Sequence, residues 1–167
     1  MPEMRYVTGG LVAAAVGLFS CGGTDPAFER LVGEHAKQLE VIRLASEGHR
    51  ASIAGAADLT RVGEEEMRHG EEMMTETSEM QSVLDQMMRC SEVCCLNGTR
   101  MMRGVQDEVT AHRGTMGGSS SIDAARREED RHQGEMDEEL GAMDVDHASM
   151  THMMGMGMSM GCEGSGE

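Results

Sequence analysis

Apolar residues recur at helical spacing along most of this chain. After Asp25 and Pro26, the positions that share one helix face are mostly apolar, and His35 and His49 fall on that same face. The apolar members are Phe28, Leu31, Val32, Leu39, Ile42 and Ala45. We therefore expect a first helix from about Ala27, with Asp25 as its cap and Pro26 in its first turn.

Three further helices follow from the same pattern. The second begins after Asp58, and the third covers residues 92–112. After a loop at 114–121, Ser121 caps a fourth helix from Ile122 to about Met143. The apolar positions of the second helix are Val62, Met73, Met80, Val83, Leu84 and Met87. No stretch alternates like a strand, so the predicted fold class is all-α.

The chain matches itself when it is shifted by 63 residues. The matched segments are His49-Arg50 with His112-Arg113, Glu65-Glu66 with Glu128-Glu129, and Arg68-His69 with Arg131-His132. This pattern indicates a duplicated helical hairpin. Two antiparallel hairpins that each bury one apolar stripe close most simply into an up-down four-helix bundle, here spanning residues 27–143.

The N-terminus has the pattern of an export signal. Arg5 precedes an apolar stretch at residues 7–19, which is shorter than the roughly 20 residues of a membrane-spanning helix. Leu18-Phe19-Ser20-Cys21 resembles the lipobox of bacterial lipoproteins. The resemblance implies a signal peptide at 1–20, fatty acylation of Cys21, and a lipidated tether at 21–26. The alternative is plain secretion with Cys21 as a free thiol.

The lipobox resemblance also implies a location in the cell envelope. A glycine follows Cys21, which by analogy with enteric bacteria favours the outer membrane, facing the periplasm. The chain carries 30 acidic and 14 basic residues, a net charge of −16, which argues against nucleic-acid binding and favours cations. Its 19 methionines, against two phenylalanines and one tyrosine, must supply much of the packing.

The duplicated element contains a His-x19-His-x3-Met pattern. Its members are His49, His69 and Met73 in the first half and His112, His132 and Met136 in the second. An imidazole facing a bundle core must be hydrogen-bonded or ligated, because burying it unpaired is costly. The repetition therefore makes these six residues candidate metal ligands. Histidines that are merely hydrogen-bonded in the core are the alternative.

Each half also carries a Glu-x-x-His motif, Glu66 to His69 and Glu129 to His132. This arrangement resembles the ferritin-like di-iron proteins, whose bundles hold two metal ions with such motifs and a Glu from each of the other two helices. The resemblance implies an iron site built on these four residues. The completing carboxylates would come from Glu40 or Glu47 and from Asp107 or Glu108. A solvated face of ion pairs explains the motifs equally well.

The C-terminal residues 144–167 are rich in soft donors and glycine. The candidate ligands are His147, Met150, His152, Met153, Met154, Met156, Met158, Met160 and Cys162. Thioether, imidazole and thiolate groups suit Cu(I). We expect a disordered tail that resembles the Met- and His-rich segments of periplasmic copper-handling proteins. The alternatives are a tail without a ligand or a methionine sink for oxidants.

Cys90, Cys94 and Cys95 lie near the junction of the second and third helices. In an oxidising compartment we expect a disulfide among them, and a Cu(I) cluster is the alternative. The sequence contains no phosphate-binding glycine loop, nucleophile elbow or zinc-protease motif. The predicted function is therefore non-enzymatic: a membrane-anchored lipoprotein that binds or buffers soft metal ions, chiefly Cu(I). A di-iron protein and a metal-free structural lipoprotein are the alternatives.

Overall fold

The chain folds into four long helices. The structure, a computed structural model, describes residues 25–90 and 92–156, without the side chains of 92–96. The helices are α1 (Pro26–Gly55), α2 (Leu59–Cys90), α3 (Glu92–Gly117) and α4 (Ile122–Gly155), and the described residues contain no strand. Each helix packs mainly against two neighbours, in the order α1, α2, α3, α4 and back to α1. The predicted all-α class is confirmed, and these contacts make a bundle.

Polar caps fix where three of the helices begin. The Asp25 carboxylate accepts a hydrogen bond from the Ala27 backbone N–H at 2.8 Å, and Pro26 occupies the first turn of α1. Ser121 does the same for α4, accepting from the Ala124 N–H at 3.1 Å. The Asp58 carboxylate accepts from the backbone at the start of α2. The predicted starts of these helices are confirmed.

Two helices extend further than predicted. Helix α3 continues to Gly117, through the first part of the expected loop, and α4 continues to Gly155 instead of ending near Met143. The disordered tail expected from residue 144 is therefore not found before Met156. Met150 is fully buried, and Met153 and Met154 pack against the core, so the added turns of α4 bury apolar surface. Residues 157–167, with Met158, Met160 and Cys162, lie outside the described residues.

Methionine dominates the core that these helices enclose. The fully buried methionines are Met73, Met80, Met87, Met102, Met136, Met143 and Met150. Phe28, the one buried aromatic residue of the described chain, closes the same cluster. Since methionine side chains are flexible, the rigid packing partners in this core are Phe28 and a few aliphatic residues such as Ile42 and Leu84.

Replacing Phe28 by Ala is expected to lower the free energy of unfolding by about 3–5 kcal/mol, because it removes a fully buried ring and leaves a cavity. Urea denaturation measures the change. Leu44→Ala is the control, because Leu44 is 56% exposed and should alter stability by less than about 0.5 kcal/mol. Equal effects of the two substitutions would contradict the assignment of Phe28 to the core.

Two of the three cysteines near the junction of α2 and α3 have side chains outside the described residues. These are Cys94 and Cys95, whereas Cys90 is described and is disulfide-bonded. Among the described helices none is long and apolar enough to span a bilayer. Residues 1–24, with the signal pattern and Cys21, also lie outside the described residues.

Candidate metal centre

Four histidines, one from each helix, meet in the middle of the bundle. They are His49, His69, His112 and His132, and each is at most 1% exposed. Glu66 and Glu129, each one helical turn before a histidine of the same helix, point into the same space and are also buried. We call these six residues the central cluster. The duplicated motifs therefore converge on one place instead of forming two separate sites.

Three atoms of the cluster already have the spacing of metal ligands. His49 Nε2 and His112 Nε2 are 3.4 Å apart, and Glu129 Oε2 lies 3.2 Å and 3.3 Å from them. Donor atoms around a tetrahedral ion with bonds of about 2.0–2.1 Å are separated by about 3.3–3.4 Å. Among the described residues, these three side chains are the group whose donor atoms lie close enough together to hold a metal ion.

Glu66 approaches the same two imidazoles. Its Oε2 atom lies 3.4 Å from His49 Nε2 and 3.3 Å from His112 Nε2. Although both glutamates are within ion-pair distance, neither Glu66 Oε2 nor Glu129 Oε2 accepts a well-directed hydrogen bond from the described residues. Close approach without hydrogen-bond geometry is typical of donor atoms arranged around an ion.

The four histidines form two layers. The first layer consists of His49 and His112, and the second layer consists of His69 and His132. The His69 ring stacks on His49, and the His132 ring stacks on His112, both with ring centroids 3.9 Å apart. Within each layer the two rings are nearly perpendicular, with centroids 5.6 Å apart for His49 and His112 and 6.0 Å apart for His69 and His132. The second layer therefore repeats the arrangement of the first.

Outer carboxylates orient two of the imidazoles. His132 Nδ1 donates a hydrogen bond to Glu108 Oε1 at 2.9 Å, and His112 Nδ1 lies 3.3 Å from Glu128 Oε1. The Arg131 guanidinium binds both of these glutamates. Since each Nδ1 faces a carboxylate, the Nε2 atom of the same ring is left to face the cluster. A histidine held in this way by a carboxylate is a common arrangement of metal ligands.

The electrostatics divide the histidines into two kinds. Burial alone would lower the pKa of His112, but the carboxylates of Glu129 and Glu66 outweigh it and raise the pKa to about 9. The same balance raises the pKa of His49. Burial, together with the neighbouring His49 and His132, lowers the pKa of His69 to about 3. Without a metal, His112 is thus protonated at neutral pH, whereas His69 is a neutral donor.

The two glutamates stay ionised although they are buried. Burial would raise the pKa of Glu66, but His112 and His49 outweigh it and bring the pKa down to about 2. The same two histidines lower the pKa of Glu129 to about 2. Both carboxylates therefore carry the negative charge that a bound cation requires.

The centre follows the 63-residue repeat, with one exception. His49 and His112, Glu66 and Glu129, and His69 and His132 are pairs of equivalent positions, so the two halves contribute the same groups. Glu108, however, corresponds to Ala45, and His69 has no hydrogen-bond partner on either nitrogen in the described residues. The resemblance to di-iron proteins suggested Glu108 as a metal ligand, but it contacts His132 instead.

The orienting role of the Glu108 carboxylate toward His132 can be tested by mutation. We expect Glu108→Gln to weaken metal binding by about 10- to 100-fold, because the amide holds His132 less firmly and does not increase its basicity. Glu72→Gln is the matched control, since Glu72 is a half-exposed carboxylate that pairs with Arg68. Competition with a chromophoric chelator measures both affinities, and equal affinities in the two variants would refute an orienting role for Glu108.

The remaining predicted ligands lie elsewhere. Met73 and Met136 are buried in the apolar core, one turn beyond His69 and His132. His147 contacts His35 in another part of the bundle. Met150 belongs to the core, Met153 and Met154 pack on its edge, and His152 and Met156 are exposed. The glutamates at 40 and 47 are exposed and take no part in the central cluster.

A small cavity lies between α1 and α4, next to Glu129 of the central cluster. Its volume is about 140 Å³, and its lining includes Glu129, Arg50 and Arg126. Arg126 donates to the backbone carbonyls of Ala54 and Ala56, which holds it at the mouth of the cavity. A small molecule in this cavity would lie beside a carboxylate of the cluster.

Comparison of the chain with models of known protein families, with curated proteins and with solved structures finds no match, so its function has to be inferred from the geometry of this centre.

Proposed function

We propose that this protein binds a pair of first-row transition-metal ions in the core of its bundle. His49 and His112 would hold one ion, His69 and His132 the other, with Glu66 and Glu129 between them. The observation that carries this proposal is the number of unpaired polar atoms in the central cluster. Of the nine buried side-chain nitrogens and oxygens without a hydrogen-bond partner in the described residues, seven belong to the cluster.

The energetic cost of these atoms supports a ligand. A buried polar atom without a partner costs about 1–3 kcal/mol, so seven of them would cost an amount comparable to the whole stability of an ordinary domain, about 5–15 kcal/mol. Metal–ligand bonds would satisfy most of them at once. In a purely structural role, ion pairs with His49 and His112 would offset the cost for the two glutamates, but the unpaired nitrogens of His69 and His132 would stay uncompensated.

The layer spacing supports two ions over one. Dinuclear metal sites hold their ions about 3.5–4 Å apart. The stacked rings of the two layers have centroids 3.9 Å apart, which brings the donors of the second layer close to those of the first. Neither oxygen of Glu129 has a hydrogen-bond partner in the described residues, so this carboxylate is suited to bridge two ions.

The donor set favours a borderline divalent metal at this centre. Imidazole nitrogen and carboxylate oxygen suit iron, zinc and related ions, whereas Cu(I) prefers thioether and thiolate sulfur. The cluster also departs from the ferritin-like pattern. Histidines 49 and 112 supply the ligands from α1 and α3, where the resemblance implied glutamates. The centre thus has four nitrogen donors and two carboxylates.

The proposal includes an up-down arrangement of the helices. Contacts between α1 and α4 support it, because residues later in α1 contact residues earlier in α4. Arg43 pairs with Asp144, Ser46 with Gln133, and Arg50 with Asp130. Antiparallel neighbours of this kind bring the middle of all four helices to one level, where the cluster lies.

Titration of the chelator-treated protein with Co(II) tests the metal centre. We expect two equivalents to bind, with visible absorption bands of nitrogen- and oxygen-ligated cobalt. His49→Ala with His112→Ala should abolish binding in the first layer. His152→Ala, the matched control, removes an exposed histidine and should change nothing. Wild-type stoichiometry in the His49/His112 double variant, or no binding by the wild-type protein, would refute the proposal.

A di-iron oxidase or peroxide-reducing enzyme is the second candidate. The cavity lined by Glu129 favours it, because a small molecule there would lie next to a residue of the cluster. Adding oxygen or peroxide to the Fe(II)-loaded protein should then produce the absorption of an oxo-bridged di-iron centre. A loaded protein that stays unchanged would leave metal binding as the function.

Attachment to the cell envelope through Cys21 is a separate part of the proposal, and it rests on the lipobox pattern alone. We expect the mature protein to begin at Cys21 and to carry fatty acid there. Mass spectrometry of the protein from membranes tests this, with Cys21→Ser as the unlipidated control. A mature chain that begins elsewhere would contradict the anchor.

A further inference from the structure

A fifth buried histidine lies away from the central cluster. His35 on α1 is fully buried, and its Nδ1 atom is 3.2 Å from Nδ1 of His147 on α4. The two rings are parallel to within 2°, with centroids 5.3 Å apart. This His35–His147 pair is four turns of α1 from His49, so it forms a site of its own.

The Nδ1 atoms of the two rings are close enough for one to donate to the other, and His35 Nε2 is buried without a hydrogen-bond partner among the described residues. A metal shared by the Nδ1 atoms would replace the hydrogen bond between them and leave Nε2 as it is. Burial, and then the neighbouring His147, lowers the pKa of His35 to about 4, so the ring is neutral at physiological pH. A neutral imidazole is the form that binds metal ions.

Thioethers flank the pair. Met143 and Met150 lie four residues before and three residues after His147, on the same face of α4, and both are fully buried. Asp144, whose charge acts on His35, is exposed and pairs with Arg43. The side chains on these faces are thus two imidazoles and two thioethers.

The repeat shows that the fold does not need these histidines. The positions equivalent to His35 and His147 are Gly98 and Leu84. These equivalents are also neighbours, since a Cβ added to Gly98 would lie 2.8 Å from a methyl group of Leu84. The second half therefore fills the same place with a glycine and a leucine, which implies that the imidazoles serve a purpose other than packing.

We propose that His35 and His147, with thioether sulfur from Met143 or Met150, form a second metal site that takes a soft monovalent ion, Cu(I). The distance of 3.2 Å between the Nδ1 atoms is near the roughly 3.3 Å expected for two donors that share an ion of coordination number four. Imidazole with thioether is a donor set that suits Cu(I), whereas the nitrogen and oxygen donors of the central cluster suit divalent ions. This site does not depend on the central centre.

Competition with bathocuproine under ascorbate measures Cu(I) affinity in the full chain. The test variant is His35→Gly with His147→Leu, which copies the pair found in the other half. We expect its affinity for Cu(I) to fall by at least about 10- to 100-fold, as loss of a supporting group alone already costs this much. Co(II) binding by the central cluster should be retained in this variant, which shows that it is folded.

Methionine variants separate a built site from capture by the C-terminal residues. Met143→Leu combined with Met150→Leu preserves apolar volume and should weaken Cu(I) binding, whereas Met156→Leu, at an exposed position, should not. Wild-type Cu(I) affinity in the His35/His147 variant would overturn the proposal. Equal losses in the two methionine variants, or a preference of this site for Co(II) over Cu(I), would also overturn it.

Discussion

Adding Co(II) or Zn(II) to the chelator-treated protein is expected to raise its melting temperature by about 8–16 °C for each ion bound. An ion that binds only the folded chain stabilises it by about 4 kcal/mol when its free concentration is a thousand times Kd. For a chain of this size, 1 kcal/mol corresponds to about 2–4 °C. The gain is large because the ion finds its ligands already gathered, with seven unpaired polar atoms in the central cluster.

This shift in melting temperature has two controls, a different ion and a variant of the same protein. Mg²⁺ at the same concentration should have little effect, because it prefers oxygen ligands and keeps its water. The His49→Ala/His112→Ala variant should show a much smaller shift with Co(II), the remainder reflecting the second layer. Binding of metal to histidines of the unfolded chain reduces the shift in all variants alike. Scanning calorimetry would contradict the proposed centre if the wild-type protein and the double variant responded equally.

The sequence predicted the members of the centre better than their arrangement. The 63-residue shift identified all four histidines and both glutamates, because equivalent positions in a duplicated bundle face the same core. It assigned them to two competing sites, one of histidine and methionine and one of glutamate and histidine. A spacing along one helix fixes which residues share a face, but it does not fix the level of that helix against its neighbours.

The ends of the helices determine how the residues of neighbouring helices align along the bundle. A loop at 114–121 would place the second turn out of register with the first. Because α3 continues to Gly117, the second turn lies at 118–121, and a shift of 63 brings it onto the first turn at 56–58. The extended helix therefore moves the second turn toward the midpoint between His112 and His132, so that these two histidines come level as His49 and His69 do. No pattern in the glycine- and serine-rich stretch marks this extension, since it depends on the packing of Met116 beside Ile53.

Residues that break the repeat were the hardest to predict. Glu108 corresponds to Ala45, and the His35–His147 pair corresponds to Gly98 and Leu84. Matching the two halves of the chain therefore does not single these residues out. His147 was placed in a disordered tail, because the apolar spacing after Met143 is interrupted by small and charged residues. Its contact with His35 depends on α4 running to Gly155. Long-range contacts of this kind are not encoded in local periodicity.

The affinity for the ion in the first layer is expected to depend steeply on pH, and the affinity for the second ion only weakly. Carboxylates of Glu129 and Glu66 outweigh burial and raise the pKa of His112 to about 9, and the pKa of His49 is raised in the same way. The first ion must therefore displace a proton from His112 at neutral pH, and from His49 wherever that ring is protonated. Below the pKa values of both rings, each decrease of one pH unit should lower the affinity for the first ion about a hundredfold, because two protons compete with the ion.

The second layer responds differently because His69 is already neutral. Burial and the neighbouring histidines lower its pKa to about 3, and burial and His112 also lower the pKa of His132. An ion in this layer displaces few protons near neutral pH, so its affinity should be nearly constant from about pH 6 to about pH 8. Calorimetric titration with Co(II) in two buffers of different ionisation enthalpy counts the protons released at each step.

The metal-free protein should show the opposite trend with pH. Because the folded-state pKa of His112 lies above its value in the unfolded chain, this group stabilises the fold fully below about pH 6.5, and the stabilisation is lost as pH rises through about 9. The metal-bound protein gains affinity over the same interval, so the stabilisation by metal should widen with pH. Release of equal numbers of protons at both steps would show that the two layers do not have the separate charge states that this centre requires.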